Sequence, residues 1–420
     1  MISTNTPKEQ VPDARQTHIS TSILIVIFVV MAMFVFTLHA QPAKGANKFL
    51  GNITTRGQVR DDYGKYWNQI TGENESKWGS VEGTRDRMSW GGTDRIAEYA
   101  REAGIPWKFH CLVWGSQYPR WMDGLSQSEQ LEEITEWLDE AAERYPDVQM
   151  IDVINEAHPS HRPPPFKNAL GGDGSTGFDW MIKIFEMARE RWPDAVLIYN
   201  DYNTIEYGNE VNWQVKMANA MKEADAPMDA IGVQAHAAQG MSAATVKSNI
   251  DKLAATGYPI IVSEYDIPQG DDNRQKSIME DQFTMFWNHP KVVGITYWGY
   301  VVGSTWINGS GLMNSNGTER PALTWLVDFV ENNPDPSNDF PDLIPMAVPV
   351  TAPDNKLVIA PPGYSDIKKG RMEIFDLKGR IIMNRSVTGL SGLLPSLISS
   401  QGACVIRRDG RCEGIYKRIR

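Results

Sequence analysis

The sequence predicts an α/β protein, a (β/α)8 TIM barrel followed by a small C-terminal all-β module. Its 420 residues suit one barrel of roughly 250 to 300 residues with a minor domain after it. Short apolar runs alternate with stretches of helical periodicity, which is typical of a parallel βα array. Polar or aromatic residues end most of these runs, as they do at the active-site face of a barrel.

Eight apolar runs are the predicted barrel strands. Amphipathic helices are predicted between them, most clearly over 128–144 and 178–191. A doubly wound open sheet is the alternative, but no glycine-rich phosphate loop follows the first strand. The predicted strands are 48–53, 69–73, 107–114, 149–156, 195–200, 230–235, 259–264 and 293–298.

The chain is predicted to have four parts. Residues 1–40 contain an apolar run over 23–38 and are expected to be a signal peptide cut near Ala40, with an uncleaved N-terminal anchor as the alternative. The catalytic barrel is expected over 47–333. Eight prolines without helical periodicity predict a linker over 334–365. The last part, 366–420, has the pattern of two β-hairpins, 372–375 with 379–383 and 403–406 with 413–416.

Charge is divided unevenly along the chain and limits the class of partner. Residues 354–420 carry 13 Lys and Arg against 6 Asp and Glu, whereas the first 353 residues carry 28 against 46. The acidic main part disfavours nucleic acid as a partner. A basic tail of this size is expected to touch an anionic polysaccharide or a cell surface, unless it is only a solvated basic face. Three cysteines are too few for a disulfide framework, although Cys404 and Cys412 could pair.

Two carboxylates stand at the ends of predicted strands. Glu156 follows the apolar run 151–154 and Asn155, and Glu264 follows the run 260–262 and Ser263. Hydrolysis of a glycosidic bond needs one carboxyl group that stays protonated and a second that is ionised. Burial near aromatic rings can keep a glutamic acid protonated near neutral pH. Glu156 is therefore the candidate acid and Glu264 the candidate nucleophile.

The motifs around these glutamates resemble those of glycoside hydrolase family 10, the xylanases. They occur in family order across the predicted barrel, and eight together are highly specific. They are GENESKW at 72–78, FHCLVW at 109–114, NE at 155–156, NDYN at 200–203, QAHA at 234–237, the Glu264 strand, YWG at 297–299 and ERPA at 319–322. The resemblance implies retaining endo-hydrolysis of β-1,4-xylan, with Glu156 as acid/base and Glu264 as nucleophile, without a metal or cofactor.

The same resemblance implies roles for twelve further residues, all expected to be substrate-binding. Asn155 would bond the 2-hydroxyl of the cleaved sugar, and His236, with Asp266 behind it, would bond Glu264. Tyr202 would stack on the leaving-group sugar, and Trp298 with Trp306 would cover the site. The remaining residues are Gln234 and the glycone-side group Glu73, Asn74, Lys77, His110, Trp114 and Gln117.

Two departures from the family pattern and the tail complete the expectations. Gly115 stands where a second histidine usually follows the tryptophan, and Ile307 follows Trp306 where a basic residue is common. The tail, with FDLKG at 375–379, resembles C-terminal modules of secreted plant-cell-wall enzymes of anaerobic bacteria. A secreted or cell-surface bacterial monomer acting on xylan or xylo-oligosaccharides is expected. A retired sugar-binding barrel and a hydrolase of another β-1,4-linked polymer are the alternatives.

Overall fold

A computed structural model describes residues 41–345 and four strands between 370 and 417. Residues 41–345 contain eight parallel strands that close into a barrel in sequence order, with the first strand paired to the eighth. The closed sheet confirms the barrel and excludes the doubly wound alternative. The strands are β1 Phe49–Ile53, β2 Gln69–Thr71, β3 Trp107–Trp114, β4 Met150–Asn155, β5 Val196–Asp201, β6 Ala230–Val233, β7 Ile260–Tyr265 and β8 Val292–Tyr297.

Helices surround the barrel and are amphipathic. In the longest one, Gln127–Arg144, Ser126 caps the first turn and exchanges hydrogen bonds with Glu129 in a capping box. The helices of residues 41–345 are α1 Tyr63–Tyr66, α2 Trp78–Val81, α3 Gly91–Ala103, α4 Gln127–Arg144, α5 Asp179–Arg191, α6 Gly208–Glu223, α7 Ala243–Ala254, α8 Asp272–Asn288 and α9 Pro321–Asn332, with 3-10 turns at Arg120–Gly124, Lys167–Leu170 and Ala238–Gly240. No helix among the described residues combines the length and the apolar character needed to cross a membrane.

Three stacked tryptophans connect the helices that pack near the second and third strands. The Trp137 ring of α4 lies between Trp78 and Trp90, with ring centroids 5.6 and 5.4 Å apart and nearly parallel planes. Its indole nitrogen donates to the carbonyl of Leu112 in β3. Stacked aromatic rings add stabilisation beyond the area that they bury. The stack therefore holds α2, which begins at the last residue of the GENESKW motif, against β3.

The first part of the predicted linker differs from the expectation. Ile344 is buried and, with Phe340 and Leu343, packs against residues at the amino-terminal ends of the strands, among them Phe49 and Met150. Asp339 also forms an ion pair of 2.7 Å with Lys291. The proline count concealed these apolar residues, so residues up to Pro345 belong to the barrel's packing. The rest of the linker, like the leader, lies outside the described residues.

In the tail the structure has four strands in one antiparallel sheet. The order is β10, β9, β11, β12, with β9 paired to both β10 and β11. The strands are β9 Gly370–Phe375, β10 Ile381–Val387, β11 Ala403–Arg408 and β12 Arg411–Lys417. The role of this tail, and the pairing of Cys404 with Cys412, stay predictions.

Candidate active site

Glu156 lies just beyond the end of β4, where the chain turns away from the barrel. Its backbone is in the left-handed region, with φ 56°, and its amide donates to the carbonyl of Asn200 in β5. The carboxylate accepts one hydrogen bond from the Trp114 indole at 2.9 Å and one from the Gln234 amide at 3.2 Å. Burial and the negative charge of Glu264 raise the pKa of Glu156 to about 7. Glu156 therefore keeps a proton in mildly acidic solution.

Glu264 is the fifth residue of β7, and its side chain is almost fully buried. Burial alone would raise the pKa of this carboxyl group. The hydrogen bond from His236 and the positive charges of His110 and Lys108 outweigh burial and hold the pKa of Glu264 at about 2. The Asn200 amide also donates to its Oε1 at 2.7 Å. Glu264 is thus an ionised, oriented carboxylate.

A chain of side-chain amides connects the two glutamates. Asn200 donates through Nδ2 to both Glu264 Oε1 and Asn155 Oδ1, and Ser263 donates to Asn200 Oδ1. Gln234 donates through Nε2 to both Asn155 Oδ1 and Glu156 Oε1, each at 3.2 Å. Because the Asn155 oxygen accepts two bonds, its amide group is oriented with the nitrogen as the side that can donate to a ligand.

His236 is held between two carboxylates. Its Nε2 lies 3.3 Å from Glu264 Oε2, and its Nδ1 lies 2.9 Å from Asp266 Oδ2. Burial would lower the pKa of His236, but the hydrogen bonds to Asp266 and Glu264 raise it to about 10. The Trp306 indole donates to the same Asp266 oxygen at 2.7 Å, and the Trp306 ring lies 4.7 Å from the His236 ring. His236 is therefore a cation at neutral pH.

A polar group lies on the other side of Glu156. Lys77 donates to Asn74 at 3.0 Å and to Gln117 at 2.8 Å, and its ammonium group sits 4.9 Å from the centre of the Trp114 ring. Glu73 is close by in the loop after β2. Burial raises the pKa of Glu73, although the charge of Lys77 opposes the rise. Glu73, Asn74, Lys77 and Gln117 thus form a polar cradle beside the Trp114 ring, with donors and acceptors that hydroxyl groups can bond.

His110 and Trp298 lie between this cradle and His236. His110 is bonded through Nδ1 to Asp152 at 2.8 Å, and the buried Lys108 ammonium forms an ion pair with the same Asp152 oxygen. The Trp298 ring, only 4% exposed, meets the His110 ring edge-on at 5.4 Å. Trp306, by contrast, is 55% exposed. One tryptophan is thus packed into the site, and the other is exposed beside His236.

With this geometry the chain can be compared with known proteins. The profile of glycosyl hydrolase family 10 matches residues 39–329, which include every residue of the site. The chain belongs to glycosyl hydrolase family 10. Endo-1,4-beta-xylanase B of Cellvibrio japonicus (strain Ueda107) is 49% identical over 285 residues, which are 67% of this chain and 46% of that protein. Endo-1,4-beta-xylanase B of Thermotoga neapolitana is 27% identical over 259 residues, covering 58% of this chain and 72% of that protein.

Solved structures agree with this assignment to family 10. The native xylanase 10B of Thermotoga maritima is matched with a TM-score of 0.63 at 25% identity, covering 70% of this chain and 98% of that chain. Xylanase 10B of Thermotoga petrophila RKU-1 in complex with xylobiose is matched with a TM-score of 0.62 at 25% identity, covering 70% and 97%. The chain spans less than half the length of the Cellvibrio relative, so the family 10 barrel is the shared part.

The predicted site residues of this family 10 barrel lie at or beyond the carboxyl ends of the strands, except His110, which lies in the middle of β3. Sequence reasoning named Asn200 as a strand end and as part of the NDYN motif but gave it no role, although its amide bonds both Asn155 and Glu264. It also gave no role to Asp152 of β4 and Lys108 of β3, although Asp152 contacts both Lys108 and His110. Charged residues within apolar strands were the signal, because a buried charge needs a partner.

The departure at Gly115 has a structural explanation. The Gly115 amide donates to the carbonyl of Arg162 at 2.9 Å, so the loop after β4 lies directly against the end of β3. A Cβ atom at position 115 would lie 2.3 Å from the Arg162 carbonyl oxygen and 2.4 Å from that of Pro163. The loop therefore occupies the space that a larger side chain would need.

Proposed function

We propose that this protein is an endo-β-1,4-xylanase that works with retention of anomeric configuration. The observation that carries the proposal is the opposed ionisation of two glutamates across one site, since the pKa of Glu156 is about 7 and that of Glu264 about 2. Double displacement needs one carboxylic acid and one carboxylate at the same glycosidic bond. The named relatives are endo-1,4-beta-xylanases, which supports xylan as the polymer.

The first half of the reaction forms a covalent sugar–enzyme ester. Glu264 attacks the anomeric carbon from one face, and Glu156 gives its proton to the leaving oxygen, so the shortened chain departs as an alcohol. Glu264 loses its negative charge when its oxygen forms the ester bond. His236 keeps its second partner, because its Nδ1 lies 2.9 Å from Asp266 on the side away from Glu264.

The second half restores the enzyme. Glu156, now a carboxylate, removes a proton from a water molecule as the water attacks the anomeric carbon. The bond to Glu264 breaks, and Glu264 returns to its ionised form while Glu156 again holds a proton. The attack occurs on the face opposite to the first attack, so the product keeps the β configuration. These steps require only the two carboxyl groups and water, without a metal or cofactor.

Asn155 is proposed to bond the 2-hydroxyl of the sugar undergoing substitution. Its oxygen accepts from Asn200 and Gln234, which turns its amide nitrogen toward a ligand. A hydrogen bond to the 2-hydroxyl strengthens as positive charge develops on the ring in the transition state. The amide chain thus supports catalysis by orienting a donor before the reaction begins.

The cradle formed by Glu73, Asn74, Lys77 and Gln117 is proposed to hold the glycone-side sugars. Lys77 bonds Asn74 and Gln117 and its ammonium lies over the Trp114 ring, which supports the proposal that a sugar without a hydroxymethyl substituent is preferred here. Xylose lacks this substituent and glucose carries it. Trp306, which is 55% exposed, is proposed to cover the sugars because flat rings suit pyranose faces, whereas Trp298 can offer only the small exposed part of its ring.

The primary test is product analysis on unsubstituted β-1,4-xylan and on carboxymethyl cellulose, with protein that starts at Gln41. Proton NMR in the first minutes should show xylo-oligosaccharides released as the β-anomer and no product from the cellulose derivative. Release of the α-anomer would refute double displacement. Folded protein without product from either polymer would favour the retired sugar-binding barrel, and activity on both would favour a broader β-1,4-glycanase.

The two glutamates can be assigned separately with azide. Glu264→Ala should lose turnover, and azide should restore it with an α-glycosyl azide product, because azide attacks in place of the carboxylate. Glu156→Ala should retain turnover of an activated aryl xylobioside far better than of xylan, and azide should give the β-glycosyl azide. The reverse pattern of azide products would exchange the two roles.

Export is proposed from the leader, and surface attachment from the tail. The apolar run 23–38, followed by His39 and Ala40, supports cleavage near Ala40. The excess of basic residues after 353, and the resemblance of the tail to modules of secreted enzymes, support contact with a cell surface or an anionic polysaccharide. Fractionation of cells that express the full chain, with and without residues 346–420, tests both ideas. Full retention in the cytoplasm would contradict export.

A further inference from the structure

The Tyr202 ring is supported from one side by His161. The two ring centroids are 3.7 Å apart and their planes differ by 19°, so the rings are stacked face to face. Tyr202 follows the end of β5, and His161 lies in the loop after β4. Since one face of Tyr202 is covered by His161, a sugar can stack only on the other face.

His161 itself is fixed by two acidic residues from different elements. Its Nδ1 lies 2.6 Å from Asp201 Oδ1 at the end of β5, and its Nε2 lies 3.5 Å from Glu210 Oε2 in the first turn of α6. Only 3% of the His161 side chain is exposed. A buried imidazole with carboxylates at both nitrogens has little rotational freedom.

Asp201 couples the two stacked rings. The Oδ1 atom that faces His161 also accepts the backbone N–H of Tyr202 at 2.9 Å. Its other oxygen accepts the Tyr199 hydroxyl at 2.6 Å and the backbone N–H of His158 at 3.0 Å. One carboxylate thus fixes the backbone of Tyr202, the ring beneath it and the loop that carries that ring.

We propose that His161 is a positioning residue for the leaving-group side of the site. It holds the Tyr202 ring in the position and orientation needed to stack on the sugar that leaves in the first step, or on the sugar that acts as acceptor in a transfer reaction. The inference rests on the proposed function, because it assigns the support of one subsite in that reaction. His161 does not touch the sugar. It acts by keeping the Tyr202 ring rigid, so that little ordering is required when a sugar binds.

A metal ion is the competing explanation for this group. His158, His161 and Glu210 offer three ligand atoms within 4.8 Å of one another, and Glu210 Oε2 is buried without a hydrogen bond among the described residues. However, the Ser160 amide donates to His158 Nδ1 at 3.2 Å. The proton of a neutral His158 is then on Nε2, toward Glu210 at 3.0 Å, where a metal would need a lone pair. The tautomer set by the Ser160 bond therefore leaves His158 without the lone pair that a metal beside Glu210 would need.

Two substitutions separate the ring from its anchor. His161→Asn keeps a donor toward Asp201 and removes the ring, whereas His161→Phe keeps a ring and removes the donor. His289→Gln is the matched control, because His289 is also buried and bonded to a carboxylate, Asp251 at 2.9 Å, but lies just before β8 at the amino-terminal end of the barrel. Circular dichroism and thermal melting establish that each variant is folded.

The assay uses β-xylobiosyl fluoride, whose leaving group occupies no sugar subsite. Its hydrolysis reports the glycone side and the chemistry, and transfer of the bound sugar to added xylobiose reports the leaving-group side. His161→Asn should lower the ratio of transfer to hydrolysis about three- to tenfold, as expected from the loss of one aromatic contact, and leave fluoride release within about twofold. His161→Phe should keep more transfer than His161→Asn, and His289→Gln should match the wild type.

Several outcomes would overturn the proposal. An unchanged ratio in folded His161→Asn would show that Tyr202 needs no support, and equal losses of transfer and hydrolysis would indicate general damage. A ratio that falls on chelation in the wild type and returns with Zn²⁺ would replace the hydrogen-bonded support with a metal site. If His161→Asn does not fold, Glu210→Gln, which weakens only one anchor, should still lower the ratio at least about twofold. Absence of fluoride release by the wild type would instead refute the proposed function.

Discussion

Replacing His236 with asparagine should move the acid limb of the pH–rate profile. In the wild type, kcat/KM requires ionised Glu264, whose pKa is about 2 because burial is outweighed by the hydrogen bond from His236 and by nearby positive charges. The shorter amide side chain of His236→Asn could still donate a hydrogen bond but would carry no charge. The pKa of Glu264 should therefore rise, and activity in acid should be lost at a higher pH.

The size of the change follows from reciprocity. The pKa of His236 rises from 6.5 to about 10, although burial opposes the rise. That net difference corresponds to about 5 kcal/mol, and the two carboxylates contribute at least this much because burial acts against them. Asp266 is the nearer partner, at 2.9 Å against 3.3 Å, so Glu264 accounts for less than half of the interaction. About 2 kcal/mol lost from Glu264 moves the acid limb from about 2 to between about 3 and 4.

The assay is kcat/KM for an aryl β-xylobioside from about pH 2.5 to about pH 8, in runs short enough to precede acid unfolding. Trp306→Phe is the control, because it removes the indole bond to Asp266 and leaves the His236 charge in place. Its rate should fall without movement of the acid limb. If His236→Asn kept its limb within about half a pH unit of the wild type, His236 would not be the source of the ionised nucleophile.

Three further predictions concern stability. The pKa of Glu156 is raised to about 7, so the folded protein loses stability relative to the unfolded chain as pH rises from about 4.5 to 7. Glu156→Gln should therefore stabilise the protein by about 3 kcal/mol at about pH 8 and by almost nothing at about pH 4. Equal denaturant midpoints of the variant and the wild type at the higher pH would contradict the raised pKa. Gly115→Ala should lower Tm by several degrees, because its Cβ would meet the Arg162 carbonyl oxygen at 2.3 Å; an unchanged Tm would mean that the loop moves freely. A chain that ends at Asn333 should be about 3 kcal/mol less stable than one that ends at Pro345, because only the longer chain keeps Ile344 packed against the barrel. Equal urea midpoints of the two chains would show that this packing does not contribute to stability.

The barrel could be predicted from the sequence because each strand is a short apolar run followed by a helix, and this local pattern repeats along the chain. Glu156 and Glu264 were found because each ends an apolar run, although the structure puts Glu156 one residue beyond β4. The support of Tyr202 by His161 could not be predicted, since it depends on how two loops meet. Ile344 was missed for a related reason, because prolines dominate its surroundings and its packing partners lie far away in sequence.

The packing of Phe340, Leu343 and Ile344 determines where the polypeptide leaves the barrel. These residues contact the amino-terminal ends of the strands, whereas Glu156 and Glu264 stand at the carboxyl-terminal ends. Anything tethered after Pro345 is therefore anchored on the face opposite to the one that receives the polymer. The point at which residues after 345 are attached is thus separate from the two glutamates, and removal of those residues is expected to leave Glu156 and Glu264 in place.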